Sequence, residues 1–359
     1  MSRGTRALID LAALRHNFAL ARAHAEGARV MAVIKAGGYG HGLRRTAQAL
    51  PDADAFGVTS LEEALPLRAA GISQPILLLE GIFTDDELAA AAEHELSLVV
   101  HSEWQLAALE RCELRAAFEC WLKINSGMNR LGVPGEQAAV FERRLQACPA
   151  VRGTPRLMTH LAAADDRGGA RTPAQLESFR RSCEGLTGER SLANSAGLLG
   201  WPAARADWVR PGIMLYGVSP FVDGGERPDL RPVMTLESQL IAINQCRAGD
   251  RIGYAGAYTC PEDMAVGVVS IGYGDGYPRH ASTGTPVLLN GRRTQLLGRV
   301  SMDMICIDLR GQADARVHDP VVLWGQGLPA EEVAAAAGTI AYELFCRLTN
   351  RVRFEYHDG

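Results

Sequence analysis

The chain has no apolar run that could cross a membrane. A spanning helix needs roughly 18 consecutive apolar residues, and none occurs among these 359. The first twenty residues, MSRGTRALIDLAALRHNFAL, are interrupted by charges and lack the apolar core of a secretion signal. The eight cysteines (112, 120, 148, 183, 246, 260, 306, 346) form no C-x-x-C pair. That spacing indicates neither a zinc site nor a disulfide scaffold, so no metal is expected. Reduced, buried thiols in a cytoplasmic protein are the expectation. A basic excess is also missing: 37 Lys and Arg stand against 41 Asp and Glu, a formal charge of -4. This leaves no footprint for nucleic acid. No internal repeat appears, and the nearest thing to low complexity is the alanine run at 334–337.

What is present is the composition of a folded protein, 47% hydrophobic and 22% charged, too long for one typical domain. Short β-rich apolar runs recur at 29–35, 54–59, 75–80, 96–101, 118–125, 156–161, 190–194 and 212–217. Helical patterns lie between them, for example at 85–94, 103–113, 135–147 and 173–186. Eight strands alternating with helices predict an α/β fold, a parallel (β/α)8 TIM-like barrel. Ser60 and Glu63 read as a capping box opening a helix at 61. Pro66, inside that pattern, should kink or restart it. After residue 230 strand runs follow one another at 233–245, 264–272, 286–290, 293–300, 304–309 and 319–324. Helix patterns interrupt only at 330–337 and near 340–347. The reading is a barrel over 9–228 and a C-terminal mainly β domain over 229–359. Residues 1–8 are open to joining the latter, and the boundary falls near Arg227–Pro232.

The segment VMAVIKAGGYGHG at 30–42 carries the first chemistry. A strand ends in Lys35 and a glycine-rich loop follows, which places the lysine at the C-terminal mouth of a barrel. A lysine is costly to bury, but one held covalently by an aldehyde cofactor escapes that cost. On its own Lys35 reads equally as a salt-bridged structural residue. The glycines fail the dinucleotide pattern, because the third position counted from Gly38 is Leu43.

Read whole, Ala32-Val33-Ile34-Lys35-Ala36-Gly37-Gly38-Tyr39-Gly40-His41-Gly42 resembles the cofactor-lysine motif of the alanine racemase family, A-V-x-K-A-N-A-Y-G-H-G. Gly37-Gly38 replaces the family's Asn-Ala, which should make the loop more flexible. Further resemblances follow in family order. They are Lys123-Ile124-Asn125-Ser126-Gly127-Met128-Asn129-Arg130-Leu131-Gly132, Thr159-His160-Leu161, Asn194-Ser195-Ala196 and Arg210-Pro211-Gly212-Ile213-Met214-Leu215-Tyr216-Gly217. The later part contributes Arg251-Ile252-Gly253-Tyr254-Ala255-Gly256, Ile271–Tyr277, Gly298–Met304 and Thr339–Glu343.

The resemblance implies a fold-type III enzyme that uses pyridoxal 5'-phosphate on Lys35 to racemise alanine. Tyr39, His160, Asn194, Ser195, Arg210, Gly212, Ile213 and Tyr342 would hold the cofactor. Arg210 would contact the pyridine nitrogen, and because a guanidinium keeps its proton the ring is a weaker electron sink. Arg130, Tyr273 and Met302 would face the substrate. Lys35 and Tyr254 would be the two bases. Lysine amines and phenols lose their protons near ~10 in water, so the site must favour the neutral amine and the phenolate. The tyrosine would come from the second domain of a partner subunit, in a homodimer with shared sites. In some relatives the lysine matching Lys123 is carbamylated. A racemase for serine, lysine or a broad range of amino acids has the same constellation. A decarboxylase relative would show a G-x-x-C motif where this chain reads GRVSMDM. The NSGMNR segment and the tail resemble racemases of D-alanine breakdown more than those that make a peptidoglycan precursor.

Overall fold

A computed structural model of the chain describes residues 3–221 and 228–358; Arg227, at one edge of the expected boundary, lies outside them. Two compact units result. Arg15–Leu215 form the body of one; the first strand and the chain from Arg231 onward form the other.

The chain opens with β1 (Arg6–Asp10) and a helix over Leu11–His24. The first unit's strands are β2 (Arg29–Val33), β3 (Ala55–Val58), β4 (Ile76–Leu78), β5 (Leu96–Val100), β6 (Cys120–Asn125), β7 (Val133–Pro134), β8 (Arg156–Met158), β9 (Arg190–Ser191) and β10 (Trp208–Val209). All pairings in this sheet are parallel. β10 pairs with both β9 and β2, so eight strands close on themselves, and β7 is appended to β6. These are short apolar runs because both faces are covered; all five residues of β5 are buried. Met31, Ala55, Leu77, Val99, Trp121, Met158 and Trp208 point inward from seven of the eight strands and fill the lumen.

The eighth strand is not where the apolar run 212–217 put it. Closure uses Trp208 and Val209 against Arg29 and Val30. Pro211, lacking an amide hydrogen, then gives its carbonyl to the Val33 amide at 2.9 Å. The chain turns into a single 3-10 turn, Ile213–Tyr216, whose apolar side chains are fully buried. The helix over Leu61–Ala69 continues through Pro66. The expected box does not form: the Glu63 carboxylate reaches past the cap to the Thr59 amide (2.9 Å), while the Ser60 hydroxyl donates to Glu62 and caps nothing.

The second unit is a mixed, mostly antiparallel sheet. Its strands are β11 (Met234–Cys246), β12 (Arg251–Ile252), β13 (Tyr258–Thr259), β14 (Met264–Val269), β15 (Pro286–Leu289), β16 (Arg292–Leu297), β17 (Ile305–Asp308), β18 (Pro320–Trp324) and β19 (Arg353–His357). The main sheet runs β14-β17-β16-β15-β18-β11-β1-β19, and β12–β13 is a separate hairpin. Residues 234–240 of β11 alternate buried and half-buried, as expected where one sheet face meets a core. The helix at Ala330–Ala336 packs against β15 and β18, and the helix at Ala341–Cys346 packs against that helix. All eight cysteines are free. The expectation of buried thiols holds for Cys120, Cys148, Cys183 and Cys260 and fails for Cys346, which is exposed at the end of a surface helix. Among the described residues no helix is long and apolar enough to cross a membrane.

Candidate active site

Lys35 begins an unusual turn at the C-terminal end of β2. Ala36, Gly37, Gly38, Tyr39 and Gly40 all have positive φ, from 51° to 76°. This is one turn of left-handed helix, closed by hydrogen bonds from Gly38 N to Ile34 O (2.8 Å) and Gly40 N to Ala36 O (2.9 Å). A left-handed residue other than glycine costs roughly 1–2 kcal/mol. Gly37 and Gly38 therefore relieve strain in the folded loop, whatever freedom they add. A Cβ at Gly38 would also sit 2.7 Å from Thr46 Oγ1. Glu63 Oε1 accepts from the Gly37 amide at 3.2 Å, tying the Leu61–Ala69 helix to the loop. His41 is buried, and burial lowers its pKa to about 4.

Around Lys35 the barrel gathers cations. Lys123 lies within β6 and is buried; burial first, then Arg210, Arg130 and Lys35, bring its pKa down to about 8. His160 stands two residues beyond β8. Burial first, then Arg210, Lys123, Arg130 and Lys35, hold its pKa well below the usual imidazole value, so the ring is neutral. Arg210, just after β10, is 3% exposed, and burial lowers its pKa to about 10. Its guanidinium donates to Ser191 Oγ (2.5 Å), Thr159 O (2.6 Å) and Leu192 O (3.4 Å). All three acceptors are neutral, and among the described residues no carboxylate pairs with it.

Arg130 is exposed on a loop organised by Asn125. That side chain accepts from the amides of Gly127 (3.1 Å) and Asn129 (3.0 Å) and donates to Asn129 Oδ1 (2.9 Å). Gly132 passes so close beneath that a Cβ would meet Asn125 N at 2.6 Å. Asn194 caps a short helix, Ser195–Gly200, by accepting from Gly197 N at 2.9 Å. Ser195 Oγ accepts from the amides of Gly212 (2.9 Å) and Met214 (3.3 Å), leaving its own proton to donate. Ile213 is buried at the start of the 3-10 turn. The Tyr39 hydroxyl lies 2.4 Å from where a Gly212 Cβ would be, so a larger residue there would push the phenol aside.

The structure thus brings Lys35, Lys123, Arg130, His160 and Arg210 together, with Tyr39 against Gly212 and Ser195 beside it. Tyr254, Tyr273, Met302 and Tyr342 belong to the other unit. Tyr254 tops the β12–β13 hairpin, flanked by Gly253 and Ala255 at positive φ, and is 68% exposed. Tyr273 and Met302 lie on adjoining segments, joined by Tyr273 N to Ser301 O (3.0 Å) and Gly274 N to Met302 O (2.9 Å). Both are exposed, as is Tyr342 on the Ala341–Cys346 helix.

One sequence signal had gone unread. Of 37 basic residues only two are lysine, Lys35 and Lys123, and both are here. Asn125 lies in the quoted Lys123–Gly132 segment without a role assigned to it there, and Gln175 carries no motif that would single it out.

A barrel whose mouth concentrates cations around a lysine is the layout of an enzyme handling anionic groups. Residues 9–220 match the alanine racemase N-terminal domain and 233–356 its C-terminal domain. The chain belongs to the alanine racemase family, pyridoxal-phosphate-dependent isomerases. It is 55% identical to the alanine racemase of Halorhodospira halophila, covering 100% of this chain and 99% of that one. It is 51% identical to the biosynthetic alanine racemase of Escherichia coli, over 98% of each. The crystal structure of the biosynthetic alanine racemase from Pseudomonas aeruginosa superposes with a TM-score of 0.95 at 45% identity, over 99% of each chain. The expected leaning toward enzymes of D-alanine breakdown is corrected by these matches, two of which are named biosynthetic.

Proposed function

We propose that this chain interconverts L- and D-alanine with pyridoxal 5'-phosphate held on Lys35, and that it supplies D-alanine rather than consuming it. The observation that carries the reading is the cation cluster. Lys35, Lys123, Arg130 and Arg210 all act on the neutral His160. Glu80 acts on Lys123 as a carboxylate, but the cations outnumber it, and a phosphorylated aldehyde together with a carboxylate substrate would bring the missing negative charge. When bound, the cofactor withdraws electrons so that the Cα proton of an attached amino acid becomes acidic.

The residues fit that group. Arg210, held by Ser191 and Thr159, presents a guanidinium that keeps its proton toward a ring nitrogen. Ser195, its oxygen held by the Gly212 amide, and the turn at Ile213 would hold phosphate, beside the Tyr39 hydroxyl and with Asn194 fixing the helix start. Neutral His160 would pack against the cofactor ring without adding charge. Arg130 grips the substrate carboxylate through paired N–H groups. Lys35 exchanges the Cα proton on one face and Tyr254 on the other. Tyr254, Tyr273, Met302 and Tyr342 are more exposed than aromatic and apolar side chains usually are. That suits a homodimer in which each partner's second domain completes the other's site. Lys123, close to neutrality in its amine, is suited to take up carbon dioxide and so provide Arg130 with an anion.

Borohydride reduction of the cofactor-loaded protein tests the core of this. With two lysines in the chain, the pyridoxyl label has few places to go, and peptide mapping should find it on Lys35. Tyr254→Phe should keep that label and lose racemisation in both directions. A label elsewhere, or a Tyr254→Phe variant turning over at the parental rate, overturns the reading. Offering a panel of L-amino acids to the same preparation decides between alanine and a broader substrate range.

A further inference from the structure

The helix over Arg171–Ser182 turns Thr172, Gln175 and Phe179 toward the barrel, one face at three- and four-residue spacing. Gln175 is a polar amide in a core stripe and is 4% exposed. A buried amide is tolerated only where its bonds are met. Here they are met by the site itself. Gln175 Oε1 accepts from Ala162 N at 2.8 Å, and Nε2 donates to His160 O at 3.1 Å and to Ser126 Oγ at 3.3 Å. Ser126 Oγ is 2.7 Å from Thr159 Oγ1, both buried. The Thr159 carbonyl is the 2.6 Å acceptor of Arg210 Nη2.

The geometry points to Gln175 as the positioning residue for His160 and Arg210, acting through the backbone and hydroxyls that carry them. The segment from Thr159 to Ala162 has left its strand and carries no regular ladder beyond Thr159 N to Ser191 O (3.1 Å). Two backbone bonds to one side-chain amide fix its path, and hence the height of the His160 ring. The Ser126–Thr159 hydroxyl pair fixes the peptide whose carbonyl aims Arg210. A hydrophobic residue of equal volume would fill the space and leave both settings loose. Displacements of about 1 Å in supporting groups cost catalytic rate out of proportion to stability. The inference rests on the reading of Arg210 and His160 as cofactor-facing.

Two variants test it, read by cofactor titration of the apoprotein and by steady-state kinetics. Gln175→Met should weaken pyridoxal phosphate binding about 5-fold or more and lower kcat about 10-fold, with KM for alanine moving less than about 2-fold. Ser126→Ala keeps Gln175's backbone bonds and breaks only the link to Thr159. It should give a smaller loss of the same kind, and the double variant should lose less than the product of the two. The proposal is overturned if both variants melt at lower temperature yet bind cofactor and turn over as the parent does. Borohydride labelling of Lys35 in the parent is scored first. No label removes the reading beneath the proposal, whereas a label with unmoved variants removes the proposal alone.

Discussion

The two ends of the barrel use the same residue type to opposite purpose. At the N-terminal end Arg29 and Arg156 converge, and each is neutralised. Glu189 pairs with both and also accepts from Trp208 Nε1 at 3.1 Å, and Glu119 takes the other side of Arg156 at 2.7 Å. The guanidiniums lie over Trp208 and Trp121, 4.2 to 5.7 Å from the ring centroids, and the two indoles meet edge to face at 5.5 Å. At the C-terminal end Arg210 is more deeply buried and meets only neutral acceptors. One end is satisfied internally; the other is left wanting an anion. A fold spends stability where it does chemistry and recovers it where it does none.

Breaking the second end should therefore give opposite signs in rate and in stability. Arg210→Gln removes a buried, unpaired cation from the protein without cofactor. Its kcat should fall about 10²–10³-fold, the scale of losing one preorganised donor, while the apoprotein's melting temperature rises. A variant that loses both rate and stability would show that Arg210 supports the fold first. At the other end Glu189→Gln should leave kcat and KM unchanged. It should cost about 1–2 kcal/mol in urea unfolding, because two guanidiniums and an indole lose a charged acceptor. Glu189 is partly exposed, and solvent screening keeps the loss at this end of the range. A change in kinetics there would mean the two ends are coupled through the lumen.

The contrast also explains what was legible beforehand. Seven barrel strands could be located because strands buried on both faces must be short and apolar. The eighth could not, since Ile213–Tyr216 is equally apolar and lies next to it; only the pairing of Trp208 with Arg29 decides which run closes the sheet. Lys35 was legible because a charged strand end followed by glycines is locally odd. The left-handed path of 36–40 was not, since Ala36 and Tyr39 give no local sign of positive φ. Gln175 looks like any polar residue on a surface helix until the helix is placed. The β strands after residue 230 were legible from their turns, but what Tyr254 reaches is not a property of its own hairpin.

The smallest effect concerns His41, which follows the left-handed turn after Lys35 and is buried with its Nδ1 2.8 Å from Tyr39 O. Its pKa falls from 6.5 to about 4 because burial disfavours the imidazolium. The unfolded chain therefore takes up a proton at higher pH than the folded one. The contribution is complete above about pH 6.5 and is lost as pH drops toward 4, so stability rises with pH across that window. His160, lowered by burial and by the cations, adds in the same sense. Replacing His41 with glutamine should flatten the dependence of apoprotein stability on pH between about 6.5 and 4, measured by urea unfolding at successive pH values. The barrel's other end offers an internal control. Glu189, held below its ordinary 4.5 by hydrogen bonds from Trp208, Arg156 and Arg29 against the opposing effect of burial, gives up its contribution only as pH falls through that value and below, so Glu189→Gln should leave the slope intact over the upper part of the window, between about 6.5 and 5. If His41→Gln leaves the slope unchanged and Glu189→Gln removes it, the proton uptake belongs to the paired end, and the division of labour between the two ends is wrong.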